Sequence, residues 1–309
     1  MICIYKQREV GLMLKASKKL LLFSIIFSAL FFSACGDSKK TSEANIKEKI
    51  SVAVSIVPQE TFVKAVGGDK VDIVTMIPPG KSPENFAPNP DLMEKLSTAS
   101  AYFTIGVPTE KASILPKVTD FNKNIKIVNI AELVSNVYPE RKFASGERDP
   151  HIWLSPKRVK VMIQEIVKEL SLIDPSNKIF YETNGEDYIN SLDKLDGDLK
   201  DSMLSLKKKA FVCYHPAFGY FADEYGLEMV SLEQEGKEAT IEDFLKTIDF
   251  AKKENIKTVF YQAEIDSKQA KTFASEIGGR AEMVEPLSAD YIRNLEKMAK
   301  TFKQAIEGD

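Results

Sequence analysis

A chain of 309 residues with 42 Lys and Arg against 45 Asp and Glu has a net charge of −3, which excludes the basic surface that a nucleic-acid partner requires. Residues 1–35 hold five of the basic side chains and one of the acidic ones, so the rest of the chain carries 37 against 44, a net charge of −7. Of the three cysteines, Cys3, Cys35 and Cys213, only Cys213 falls in the body expected to fold, so no disulfide is expected there.

The amino terminus reads as a targeting segment. Lys15, Lys18 and Lys19 precede an apolar run from Leu20 to Phe32. That run is shorter than the roughly 20 residues a membrane-spanning helix needs, and its flanks are those of a secretory signal. Met13 fits as the start of that signal. Ser33-Ala34-Cys35 resembles a bacterial lipobox, which implies a lipidated Cys35 and a membrane anchor on the extracytoplasmic face; Phe32 stands where leucine is usual. Residues 36–47 are polar and charged and read as a flexible tether.

From residue 48 the chain alternates strand and helix patterns. Ile50–Val57, Val71–Ile77, Ala101–Ile105 and Ile125–Ile130 are apolar and β-branched runs, bounded by Gly and Pro punctuation such as Gly67-Gly68 and Pro78-Pro79-Gly80. A short helix fits Gln59–Val66. Asn89-Pro90 opens a helix running to about Ser100 with a cap residue and a first-turn proline. Lys157–Leu172 carries apolar residues at three- and four-residue spacing. A charged helical stretch over 177–208, with Leu192, Leu195, Leu199 and Met203 on one side, would span about 45 Å and suits a connector between lobes. The rhythm then resumes, with strands at Ala210–Tyr214, Glu228–Leu232, Thr258–Tyr261 and Ala281–Val284. Helices are expected near 217–225, 240–254, 266–277 and 290–307. Alternation of this kind predicts parallel sheets covered on both faces. The expected architecture is α/β: two parallel-sheet lobes, 48–176 and 209–309, joined by one long helix over 177–208.

Open α/β sheets bind ligands beyond the carboxyl ends of their strands, so polar residues at those positions are the first candidates. Glu84 follows the second strand, His151 lies in the loops beyond the fourth, His215 directly follows the fifth, and Glu285 follows the last. His151 and His215 are the chain's only imidazoles, and each of the four candidates has a proline beside it (Pro83, Pro150, Pro216, Pro286). Imidazole is the commonest protein ligand of transition metals, and two carboxylates would neutralise a divalent ion. Gln262 and Glu264, beyond another strand end, are candidates to orient a ligand imidazole by hydrogen bonding. The run Glu233–Glu238 reads as a solvated loop, Trp153 as a core anchor for the His151 loop, and Cys213 as a buried apolar residue.

The segments Pro79-Gly-Lys-Ser-Pro-Glu-Asn-Phe86, Asp149-Pro-His-Ile-Trp-Leu-Ser-Pro156, His215-Pro-Ala-Phe-Gly-Tyr-Phe-Ala-Asp-Glu-Tyr-Gly226 and Glu285-Pro-Leu287 resemble, in order, the four ligand segments of the zinc- and manganese-binding substrate-binding lipoproteins of bacterial ABC transporters. The resemblance covers essentially the whole chain beyond the signal. It implies two α/β lobes bridged by a long helix, one divalent metal held between them as transported ligand, and delivery to an ABC transporter permease in the membrane by a receptor expected to be a monomer. His151 and His215 match the family's second and third ligands. Glu84 stands where the family usually has histidine, and Glu285 where it usually has aspartate. A histidine-rich loop common in zinc-binding members is absent, since Tyr138–Asp149 contains no histidine.

Imidazole suits zinc, and carboxylates favour harder ions such as manganese; the order of affinities puts Zn²⁺ slightly ahead of Mn²⁺ here. An enzyme is not expected: a metal-dependent hydrolase would want an open metal position and a spare carboxylate base, and no HExxH or GxSxG pattern is present. A receptor for an organic chelate such as a siderophore would want arginines and exposed aromatics, which the candidate loops do not supply.

Overall fold

The computed structural model describes residues 49–207, 209–233, 237–265 and 268–308; the targeting segment, the tether and Cys35 lie outside them. In the first half, β1 (Ile50–Val54), β2 (Val71–Thr75), β3 (Ala101–Thr104) and β4 (Lys126–Asn129) form a parallel sheet in the order β2-β1-β3-β4. In the second, β5 (Ala210–Cys213), β6 (Glu228–Ser231), β7 (Thr258–Gln262) and β8 (Arg280–Val284) repeat it as β6-β5-β7-β8, again parallel. Parallel neighbours require crossover connections. Several are helical: α1 (Val57–Gly67), α2 (Pro90–Ser97), α3 (Leu115–Phe121, after a π turn over Glu110–Ile114) in the first half, and α7 (Gly219–Tyr225), α8 (Ile241–Lys253) and α9 (Lys268–Glu276) in the second. The fold is thus the two-lobed α/β arrangement expected. Two features escaped the sequence reading: α3, and the short α4 (Ile130–Ser135), which begins at the residue where β4 was expected to end.

The sheets are joined through α5 (Pro156–Ile173) and the 27-residue α6 (Lys178–Leu204). Ser155 caps α5 by accepting from the Arg158 amide. The amino-terminal part of α6 belongs to the first lobe: Asn184 donates to the Val66 carbonyl (3.0 Å), and Gly185 lies so close to α5 that a β-carbon there would overlap Val167 Cγ2. That close approach explains a glycine in mid-helix, which costs about 1 kcal/mol relative to alanine. Farther along, Tyr225 of α7 donates to Asp196 (2.8 Å). Leu192, Leu195, Leu199 and Met203 bury the inward face of α6 in a core that runs through both lobes, from Val52 and Phe103 to Phe211 and Phe260. The final helix, α10 (Tyr291–Gly308), closes this core with Phe302, whose ring lies 4.6–5.7 Å from those of Phe211, Phe218, Phe221 and Phe260.

Side-chain bonds also tie the two halves directly. Trp153 Nε1 donates to the Pro286 carbonyl (2.9 Å), Tyr291 to the Trp153 carbonyl (2.7 Å), and Thr61 to the Ala289 carbonyl (2.6 Å). Glu224 of α7 accepts from Ser155 and pairs with Arg158. The halves are therefore cross-braced around the cleft that their strand ends face. No helix among the described residues is long and apolar enough to cross a membrane.

Candidate metal centre

Both imidazoles reach the cleft from the carboxyl-terminal side of the sheets. His215 follows β5 after a single residue. The β5–β6 ladder continues beyond the named strands, with Leu232 N donating to Cys213 O (2.9 Å) and Glu233 N to Tyr214 O (2.8 Å). This continuation carries the register Cys213↔Ser231 two residues onward, so that Glu233 stands opposite His215. The Glu233 carboxylate is buried and lies 3.2 Å from His215 Nδ1.

His151 is held differently. A hairpin from Arg141 to Asp149, paired through Lys142 and Arg148, leads into Pro150 and a short 3-10 turn at Ile152–Leu154. Asp149 is fully buried. Its Oδ1 accepts from both the His151 amide (3.0 Å) and His151 Nδ1 (2.8 Å), while Oδ2 takes Arg141 Nη1 at 3.2 Å. Arg141 also pairs with Asp223 (3.2 Å), and its amide donates to the Tyr220 hydroxyl (2.9 Å). The Trp153 ring sits 5.0 Å from the imidazole of His151.

These partners decide what the rings can do. A carboxylate only accepts hydrogen bonds, so Nδ1 of each ring carries a proton, and in the neutral form of the ring Nε2 is then a lone pair available to a metal. The two Nε2 atoms lie 3.2 Å apart, and Glu84 Oε1 is 3.6 Å from His215 Nε2. Two lone pairs and a carboxylate converging within the protein repel one another unless a cation sits among them. A tetrahedral ion bound at 2.0–2.1 Å would hold two nitrogens about 3.3 Å apart. Glu84, His151 and His215 each offer one ligand atom, all within 4.8 Å of one another. Glu84 is placed by a proline-studded loop after β2, where its amide donates to Ser82 Oγ (3.3 Å).

The structure does not bring Glu285 into this group. Its carboxylate lies 3.5 Å from Lys297 Nζ, and its backbone carbonyl accepts from Asn294 (2.7 Å). It lines a second cavity, about 320 Å³, together with Glu264 and Lys81. Glu264, expected to orient an imidazole, lines that second cavity instead, where burial and then the Glu285 charge push its carboxyl above the usual range. Gln262 is buried at the end of β7 and, among the described residues, makes no hydrogen bond to either histidine. The carboxylates that do orient the imidazoles are Asp149 and Glu233, and the reading of Glu233 as solvated is overturned by its burial against His215. Both left a signal: Asp149 stands two residues before His151, and Glu233 follows the strand adjacent to the one that presents His215. Cys213 is buried as expected, and burial pushes its thiol well above the usual range, which removes it as a thiolate ligand.

Two buried imidazoles and a carboxylate gathered between α/β lobes define a receptor for a metal ion. The chain matches the family described as zinc-uptake complex component A, periplasmic, over residues 52–305. It is 33% identical over 286 residues to the high-affinity zinc uptake system protein ZnuA of Bacillus subtilis (strain 168), covering 86% of this chain and 88% of that one. It is 30% identical over 267 residues to the manganese ABC transporter substrate-binding lipoprotein PsaA of Streptococcus mitis, covering 82% and 85%. Among solved structures, a crystal structure of ZnuA superposes with a TM-score of 0.79 at 32% identity, covering 84% of this chain and all of the other. The chain belongs to this family of zinc- and manganese-binding substrate-binding proteins of ABC transporters, which are transport receptors and not enzymes and which work with a membrane permease.

Proposed function

We propose that the protein captures Zn²⁺ in preference to Mn²⁺ through Glu84, His151 and His215 and hands it to the permease of an ABC importer. The observation that carries this reading is the meeting of two Nε2 lone pairs at 3.2 Å, each ring fixed by a carboxylate on its other nitrogen. Two nitrogens and one carboxylate oxygen are a donor set that zinc completes with one further ligand, and imidazole donors with the usual order of affinities favour zinc over manganese. Glu285 is outside the proposed set. The protein would act as a monomer, lipid-anchored through Cys35 on the outer face of the cytoplasmic membrane. The lipobox-like sequence and the lipoprotein nature of the S. mitis relative support that placement. The test is metal content of the purified protein together with calorimetry for Zn²⁺ and Mn²⁺, on wild type and on His151→Ala and His215→Ala. Tighter zinc binding that collapses in both variants is expected. Tighter manganese binding would overturn the choice of metal, and unchanged binding in the variants would overturn the site.

A further inference from the structure

One short helix of the second lobe grips the His151 arm of the first. α7 begins at Gly219, four residues after His215, so it is tied closely to that imidazole. Two arginines of the first lobe bracket the other imidazole, Arg141 before His151 and Arg158 after it. Consecutive acids on α7 meet both: Asp223 pairs with Arg141 at 3.2 Å, and Glu224 pairs with Arg158 and accepts from Ser155. Tyr220 lies between them. Its hydroxyl donates to the Asp149 carbonyl (3.3 Å), and its ring centre is 4.4 Å from the Arg158 guanidinium. A β-carbon at Gly219 would sit 2.5–2.6 Å from the Arg141 guanidinium, so glycine is what lets the lobes come this close. We infer that Arg158 and Glu224 are positioning residues for the metal: their buried pair holds the lobes at the separation at which the two imidazoles meet, and so sets how tightly the ion is kept, a role that rests on the metal-binding reading above.

The two ion pairs are not equal. The Asp223 side chain is 60% exposed, a setting in which a pair contributes little. The side chains of Glu224 and Arg158 are 5% and 9% exposed, and the second Glu224 oxygen is buried without a hydrogen-bond partner. Lys157 Nζ, 3.3 Å away, is the only other cation on the Glu224 carboxylate among the described residues. Removing the Glu224 charge would leave the Arg158 guanidinium desolvated and unpaired while the lobes stay together, whereas parting them would return it to water. The change therefore penalises the closed arrangement specifically. His151 belongs to the first lobe and His215 to the second, so an ion holds both only while the lobes are closed. With the lobes already placed, binding spends none of its own free energy on ordering them. Where they part, the apparent affinity falls with the fraction of molecules still closed. Neither Arg158 nor Glu224 makes a hydrogen bond or ion pair to Glu84, His151 or His215 among the described residues. Their influence on the ion runs through lobe separation and leaves the donor atoms unchanged.

The test is competitive Zn²⁺ titration of the purified protein against a chromophoric chelator, with Co²⁺ absorption to report the donor set and thermal unfolding to report stability. Glu224→Gln, Arg158→Met and the double variant are compared with Asn122→Ala. Asn122 donates to the Ser97 and Ala99 carbonyls (both 2.9 Å) within the first lobe, so its loss lowers stability without touching the contact between lobes. Glu224→Gln and Arg158→Met should each weaken zinc by about tenfold or more, the result of a closed fraction reduced to a tenth. Both should release it faster to excess chelator and keep the wild-type Co²⁺ spectrum once loaded. The double variant should lose no more than the worse single one, since the two residues act as a unit. Asn122→Ala should unfold at a lower temperature with zinc affinity unchanged. Wild-type affinity in Glu224→Gln, single losses that add in the double variant, or an equal loss in Asn122→Ala overturns the inference. His151→Ala and His215→Ala in the same titration separate the two levels. If they lose zinc while Glu224→Gln does not, only the positioning role is wrong; if they keep it, the site itself is.

Discussion

The two lobes repeat one strand order yet present their imidazoles by different means. His215 comes almost directly off β5, and its orienting carboxylate, Glu233, is set by the register of the adjacent strand. His151 lies more than twenty residues beyond β4 and depends on Asp149, two residues before it, which is itself fixed by Arg141. The second lobe places its ligand by sheet geometry; the first does so with a buried ion pair at the foot of a hairpin. A ligand set by backbone register has few ways to move. One set by side-chain bonds can be tuned, and it is coupled to whatever the hairpin does.

That difference predicts unequal consequences for the two orienting carboxylates. Asp149→Ala should have the largest effect. It removes three hydrogen bonds at a fully buried position and leaves Arg141 without its buried partner, a break that costs about 3–5 kcal/mol, and zinc affinity should fall about 10–100-fold. Denaturant unfolding and zinc titration measure the two losses. Glu233→Ala should give a similar fall in affinity with a smaller loss of stability, about 1–3 kcal/mol for one unpaired buried imidazole donor, because the β5–β6 ladder beneath His215 is intact. If Glu233→Ala unfolds as easily as Asp149→Ala, the contrast between register and ion pair fails.

How far the sequence foretold this follows the same line. The parallel strands and the long helix are written in local patterns of β-branched runs and helical spacing, and the motifs around His151 and His215 marked both ligands. Glu285 meets Lys297, twelve residues away on α10, and Glu233 matters only because β6 lies beside β5. Such partners are set by sheet order and helix placement, to which local pattern is blind. The short α4 was missed because Ile130 reads equally as the end of a strand and the start of a helix. The hairpin from Arg141 to Asp149 carries one turn glycine and mixed charges, and nothing in that composition distinguishes it from an open loop.

Trp153, the chain's only tryptophan, joins the His151 arm to the other lobe. Trp153→Phe keeps a ring beside His151 and removes the bond to Pro286, leaving a buried carbonyl unpaired at a cost of about 1–3 kcal/mol. Faster amide hydrogen exchange over 286–291 is expected with it, since Tyr291 bonds the Trp153 backbone and Thr61 bonds Ala289. Unchanged exchange there would mean that the bond from Trp153 to Pro286 is not needed to hold this segment against the first lobe. In the wild type, zinc binding to His151, whose imidazole lies 5.0 Å from the indole ring, should alter the tryptophan fluorescence.

The smallest effects lie on α6 and carry the same contrast into the bridge. Gly185 faces the first lobe and Gly197 faces solvent with nothing within 4 Å of a β-carbon. Gly197→Ala should therefore stabilise the protein by up to about 1 kcal/mol, the full difference in helix propensity. Gly185→Ala gains the same propensity but drives a methyl into Val167, and overpacking of this kind costs about 1–3 kcal/mol. Its net effect should be zero to about 2 kcal/mol of destabilisation. Opposite signs for one substitution at two sites on one helix would place the tight end of the bridge at the first lobe. Equal stabilisation by both would show that α5 and α6 can separate by a methyl group without loss, and that the bridge is no more rigidly held there than along its exposed face.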